Sequence, residues 1–103
     1  MSTDIVFNYI KLLYYCFSSA IKKAIGKSPH TMKLFGSPWS APAWMKTNKK
    51  MQNPGTLIGN VTGEYYKTWA SYFVKFLKAY ESQDVKFWGL TVENEPSAGF
   101  SPT

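Results

Sequence analysis

Arginine is missing from this chain of 103 residues: all 12 of its basic side chains are lysines. Nucleic-acid readers lean on the bidentate fork of arginine, and the lysines here are scattered, with Lys22-Lys23 and Lys49-Lys50 as the only doublets. The net charge of +6 therefore reads as a solvated surface with a general attraction to anionic membrane surfaces, and no nucleic-acid partner is expected. Cysteine is nearly missing too. Cys16 stands alone, which excludes an intrachain disulfide and a cysteine-based metal site. His30 is the single histidine, and nothing completes a zinc site around it, so neither a metal nor a cofactor is expected.

Long hydrophobic runs are also lacking. Residues 5 to 20 form the most apolar stretch, but it is shorter than the ~20 residues a bilayer span needs and contains Asn8 and Lys11. A signal peptide fits in part. Leu12 to Phe17 could be its apolar core and Ser18-Ser19-Ala20 its cleavage site, yet Met1 to Asp4 offers no basic side chain. The plainer expectation is a mostly buried helix with Ile5, Tyr9, Leu12, Cys16 and Ala20 on one stripe. It would continue through Ile21 to Ile25 until Gly26 and Pro29 end it.

What is abundant is apolar and aromatic: 45% hydrophobic and 17% aromatic residues, enough core for one domain and too short a chain for two. Lys33-Leu34-Phe35-Gly36-Ser37 reads as a strand stopped by Pro38. The segment that follows holds Pro38, Trp39, Pro42 and Trp44, and prolines at that density exclude regular helix and central strand. A shaped loop to about residue 61 is expected, and a connection of that length is usually functional. Its indoles either plug the loop onto the core or offer faces on which sugar rings stack. Asn60-Val61-Thr62 is an N-glycosylation acceptor pattern, and it competes with Thr62 serving as the N-cap of the next helix.

That helix is expected over Gly63 to Glu81, where Trp69, Tyr72, Phe73, Phe76, Leu77 and Tyr80 recur at spacings of three and four. Its aromatic stripe reads as core. Glu81 to Asp84 makes a turn, and Phe87 to Val92 is a second strand, apolar on both faces as a parallel-sheet strand should be. Strand, loop, helix and strand make a right-handed βαβ unit in an α/β fold. Parallel strands put Trp39 and the two carboxylates of Glu93-Asn94-Glu95 at the same end, which shifts Trp39 toward a pocket wall.

Three blocks carry a resemblance: Ser37 to Asn48, Thr68 to Tyr80 and Phe87 to Gly99. In this order and spacing they closely resemble the glucosylceramidases of glycoside hydrolase family 30. The resemblance covers roughly residues 33 to 99, while residues 1 to 24 do not look like the family. It implies a partial (β/α)8 TIM barrel over residues 33–103, supplying the third and fourth strands and the helix between them, preceded by an N-terminal helical segment over residues 1–32.

By the same resemblance Glu95 would be the general acid/base, Asn94 would hydrogen-bond the sugar 2-hydroxyl, and Trp39 would line the glucose pocket; Glu93 would play a supporting part. The implied substrate is glucosylceramide or another β-glucoside met at a membrane surface, in sphingolipid metabolism, and the implied location is lysosomal or secreted. A retaining glycosidase needs two carboxyl groups roughly 5 to 5.5 Å apart, one to protonate the leaving group and one to attack. The family's nucleophile belongs to the seventh strand, beyond Thr103, and a whole barrel takes ~250 residues. The isolated chain is therefore expected to be inactive. The alternative is a non-catalytic carbohydrate- or glycolipid-binding fragment that uses Trp39, Trp44 and the basic surface.

Overall fold

The computed structural model describes residues 17–52 and 54–95. The expected apolar stripe from Ile5 to Cys16, along with Asn53 and Pro96 to Gly99, falls outside them. In chain order the described elements are helix α1 (residues 17–27), strand β1 (Phe35–Gly36), a 3-10 turn (Ala43–Met45), helix α2 (Glu64–Glu81) and strand β2 (Gly89–Leu90). The strands pair in parallel, with Phe35 opposite Gly89 and Gly36 opposite Leu90, so the α/β character and the strand, helix, strand order read from the sequence are present.

Two compact units share these elements: residues 1–34 with 75–88, and residues 35–74 with 89–103. In the first unit the core is Tyr80 and fully buried Val85, with Ile21, Leu34, Phe76, Ala79 and Phe87 packed against them. The rings of Phe76, Tyr80 and Phe87 meet pairwise at 4.9 to 5.3 Å, within the range where tilted aromatic pairs attract. Burial raises the pKa of the Tyr80 phenol above 10.0.

The end of α2 is built by its own sequence. Val85 N donates to Tyr80 O (3.1 Å) and Asp84 N to Glu81 O (3.0 Å), while Asp84 takes a left-handed φ of 59°. These are the two reversed bonds of a Schellman cap, and the Tyr80 to Val85 contact is its apolar seal. The same unit carries a solvent-facing cation–π contact, with the Lys33 ammonium 4.8 Å from the Trp88 ring centre.

In the second unit the long connection is less irregular than its prolines suggest. Lys46 and Leu57 form an antiparallel bridge, flanked by Thr47 N to Thr56 O (2.8 Å) and Ile58 N to Met45 O (2.9 Å). The 3-10 turn that delivers Met45 to the inside leaves this side chain fully buried. Asn48 organises the tip: its Nδ2 donates to Gln52 O and Pro54 O, both at 3.0 Å, and its Oδ1 accepts from Lys50 N. A Cβ on Gly55 would lie 2.6 Å from the Asn48 side chain, so glycine is what lets that side chain pass. Helix α2 contributes Trp69, stacked on Tyr72 at 5.4 Å and edge-on to Phe73 at 4.7 Å, and burial raises the Tyr72 pKa.

Four expectations are corrected. Helix α1 is not mostly buried: Ser18 is its one buried residue, while Phe17, Ala20 and Ile25 are exposed. The strands are each two residues long, shorter than Lys33 to Ser37 and Phe87 to Val92, because each has one pairing partner among the described residues. The second strand region is not buried on both faces, since Trp88 is 69% and Val92 80% exposed. Thr62 is not the N-cap of α2. Gly63 precedes the helix, and its carbonyl accepts the first helical bond, from Lys67 N at 3.1 Å. No helix among the described residues is long and apolar enough to cross a membrane.

Candidate active site

Pro38 restrains Ser37 to extended backbone and has no N–H of its own, so β1 ends there and the Pro38 carbonyl is left to accept. Asn94 N donates to it at 2.8 Å, just after Thr91 N donates to Gly36 O at 2.9 Å. Inter-strand bonding therefore continues past the carboxyl ends of both strands. It holds the Ser37-Pro38-Trp39 turn directly beside Asn94.

Side chains reinforce this junction. In a parallel pair, residues two beyond a matched pair share its face. The match of Phe35 with Gly89 thus brings Ser37 level with Thr91. Their hydroxyl oxygens are 2.6 Å apart, and Ser37 Oγ also donates to Asn94 Oδ1 at 3.4 Å. Ser37 has one proton. If it goes to the amide oxygen, which can only accept, the Thr91 hydroxyl is the donor in the shorter bond.

The three expected site residues lie on this junction or next to it. Asn94 is half-buried and tied down. Trp39, one residue past Pro38, exposes 83% of its surface, so its indole is a presented face and not a plug. Trp44 is 43% exposed and leans on Tyr65 at a ring separation of 6.2 Å. Glu95 is exposed and takes a φ of 45°. That left-handed backbone is uncommon for a residue with a Cβ, and such departures cluster at functional sites. Glu93 is exposed as well, and among the described residues neither glutamate forms an ion pair. Asn60 lies apart from this cluster in sequence, exposed in the turn before α2.

Lys46 was not singled out by sequence reasoning. It is 93% buried, with 7% of its surface exposed, and its ammonium donates to Ser40 Oγ (3.2 Å) and Met51 O (3.1 Å), bracing the loop that carries Trp39 and Trp44. No pattern in the sequence distinguishes it from the exposed lysines nearby. Ser37 and Thr91 were also missed, although fixing the strand register would have found them. Among the described residues no group of His, Cys, Asp and Glu could hold a metal ion.

An exposed carboxylate, a fixed amide and an exposed indole at the carboxyl ends of parallel strands can donate to and accept from hydroxyl groups while a ring stacks alongside. Residues 10–102 match the glycosyl hydrolase family 30 TIM-barrel domain. The match begins at residue 10, so residues 10 to 24, read from the sequence as foreign to the family, fall within it.

A protein described as putative glucosylceramidase 4 of Caenorhabditis elegans is 52% identical over 82 residues, 80% of this chain and 16% of that relative. The lysosomal acid glucosylceramidase of Mus musculus is 46% identical over 79 residues, 77% of this chain and 15% of that one. Among solved structures, SrfJ from Salmonella typhimurium superposes with a TM-score of 0.66 at 38% identity, over 77% of this chain and 17% of its own. The chain thus spans about a sixth of the length of the proteins it matches. Sequence and fold agree over most of its residues: the chain belongs to glycosyl hydrolase family 30 and is glucosylceramidase-like.

Proposed function

We propose that this chain carries the acid/base half of a retaining β-glucosidase site, on the third and fourth strands of a TIM barrel. Glu95 protonates the glycosidic oxygen as the aglycone leaves and then takes a proton from the attacking water. Asn94 binds the sugar 2-hydroxyl, and Trp39 forms a wall of the glucose pocket. The substrate is a β-glucoside, with glucosylceramide at a membrane surface as the reading that the glucosylceramidase relatives favour. A lysosomal or secreted location follows from the same relatives. The nucleophile comes from polypeptide outside residues 1–103. Glu93 cannot serve, because it is two residues from Glu95 on one backbone and the attack must come from across the pocket.

The observation that carries the reading is the Asn94 N to Pro38 O bond of 2.8 Å, which joins the Ser-Pro-Trp and Asn-Glu blocks at one strand end. A chimera tests it: residues 33–95 replace the matching stretch of the mouse lysosomal enzyme. The chimera is expected to hydrolyse a fluorogenic β-glucoside. Glu95→Gln should cost on the order of 10²- to 10⁴-fold, with azide rescuing an activated leaving group and giving a β-glucosyl azide. Full activity of the Glu95→Gln chimera would sink the assignment. The binding-only alternative rests on the 83% exposure of Trp39; it requires saturable glucoside binding by the isolated chain that Trp39→Ala removes.

A further inference from the structure

We propose that Asn60 is a site of N-linked glycosylation. Asn60-Val61-Thr62 is the only Asn-X-Ser/Thr triplet with a non-proline centre in the sequence. A pattern of three residues is weak alone, and here the competing use of Thr62 is removed by the structure. Gly63 stands before Glu64 as the residue that opens α2. Among the described residues the Thr62 hydroxyl caps nothing and the Asn60 amide has no hydrogen-bond partner.

The turn is held by backbone. Gly63 N donates to Asn60 O at 2.7 Å, and a Cβ at position 63 would come within 2.9 Å of that same oxygen, so glycine permits the close approach. The side chain of Asn60 takes no part in the closure. Asn60, Val61 and Thr62 are all exposed, Val61 to 75%. An acceptor amide and the hydroxyl two residues on therefore both face solvent, on a turn whose geometry does not depend on either.

The step is a glycosyl transfer. Asn60 Nδ2 bonds to the anomeric carbon of an oligosaccharide carried on a polyisoprenyl diphosphate. The anomeric C–O bond breaks, the lipid diphosphate leaves with the electron pair, and an amide proton passes to base. The glycan would sit before the N-terminus of α2, on the loop that also carries Trp39, and would cover the exposed Val61.

The modification rests on the proposed lysosomal or secreted route, so the test separates site from route. The full chain is expressed in eukaryotic cells with and without an added cleavable secretion signal, and intact masses are read. Signal-bearing chains are expected to gain the mass of a glycan. Peptide N-glycosidase should remove it and leave aspartate in place of Asn60. Asn60→Gln and Thr62→Ala should each abolish the gain completely, and Asn60→Gln should leave the unfolding midpoint of the unglycosylated chain unchanged. Chains whose cleaved signal shows that they entered the lumen, but which all lack the added mass, overturn the proposal, as does a gain that survives Thr62→Ala. A gain only with the added signal upholds the site.

Discussion

The hydroxyl oxygens of Ser37 and Thr91 stand 2.6 Å apart, joining the carboxyl ends of two strands separated by 54 residues of sequence. With the Ser37 to Asn94 bond they make a relay that runs from Thr91 through Ser37 to the Asn94 amide oxygen. Ser37→Ala and Thr91→Val should each destabilise the chain by about 1 kcal/mol in urea unfolding. Because each breaks the same relay, the double variant should lose clearly less than the sum of the two. Strict additivity would show that the hydroxyls do not act together.

Asp84 is the left-handed residue of the cap that ends α2, a position where glycine meets no Cβ penalty. Asp84→Gly is therefore expected to match or exceed the parent in stability, by up to about 1 kcal/mol, since glycine's greater freedom in the unfolded chain offsets part of the relief. Asp84→Val, branched at Cβ, should fall at least about 1 kcal/mol below the parent. Urea midpoints of the three chains give the order; a valine variant as stable as the glycine one contradicts the cap.

That cap also shows how far sequence reading reaches. Helix α2 was legible to within one residue, because Trp69, Tyr72, Phe73, Phe76 and Tyr80 repeat with a helical period. Its stop at Glu81 was legible too, from the Glu81 to Asp84 turn, but the left-handed conformation of Asp84 that makes the cap was not, because spacing does not encode it. The parallel pairing, and the meeting of the Trp39 turn with Asn94, followed from the order of elements alone. Strand lengths did not, since a strand shows its full length only against partners on both sides. Lys46 was illegible for another reason: burial of an ammonium depends on where the Ser40 hydroxyl and Met51 carbonyl arrive in space.

Burial raises the pKa of the Tyr72 and Tyr80 phenols above their ordinary 10.0. The folded chain then holds protons that the unfolded chain has begun to release. The contribution of these phenols to stability is flat with pH below about 10 and falls as pH rises above it. Tyr80→Phe should flatten part of that alkaline limb in urea midpoints taken across pH 8 to 11. An unchanged slope in both the Tyr72→Phe and Tyr80→Phe chains refutes the linkage.

Met45 is fully buried and belongs to the loop that also carries Trp39. Met45→Ala should cost about 2–5 kcal/mol, the usual loss when a buried side chain leaves a cavity. That is a large share of the 5–15 kcal/mol typical of a domain. Gly55→Ala acts on the same loop by a different route, forcing the Asn48 side chain off Gln52 O and Pro54 O. Both changes should expose the loop to proteolysis before the rest of the chain. Cleavage that begins elsewhere would show that the loop does not depend on these two residues.

In isolation this chain is expected to show no catalysis. Retaining hydrolysis needs a carboxylate to attack the anomeric carbon while a second carboxyl protonates the leaving oxygen, the pair roughly 5 to 5.5 Å apart across the sugar. Glu95, which follows β2, is the proposed proton donor. Glu93 shares its backbone segment, Glu64 and Glu81 lie at the two ends of α2, and Asp84 belongs to its cap. The attacking carboxylate is proposed to come from polypeptide outside residues 1–103. A fluorogenic β-glucoside offered to the isolated chain at mildly acidic pH should therefore be hydrolysed no faster than by the Glu95→Gln variant. Turnover that Glu95→Gln abolishes would mean that a second carboxylate within this chain, or in a second copy of it, completes the pair.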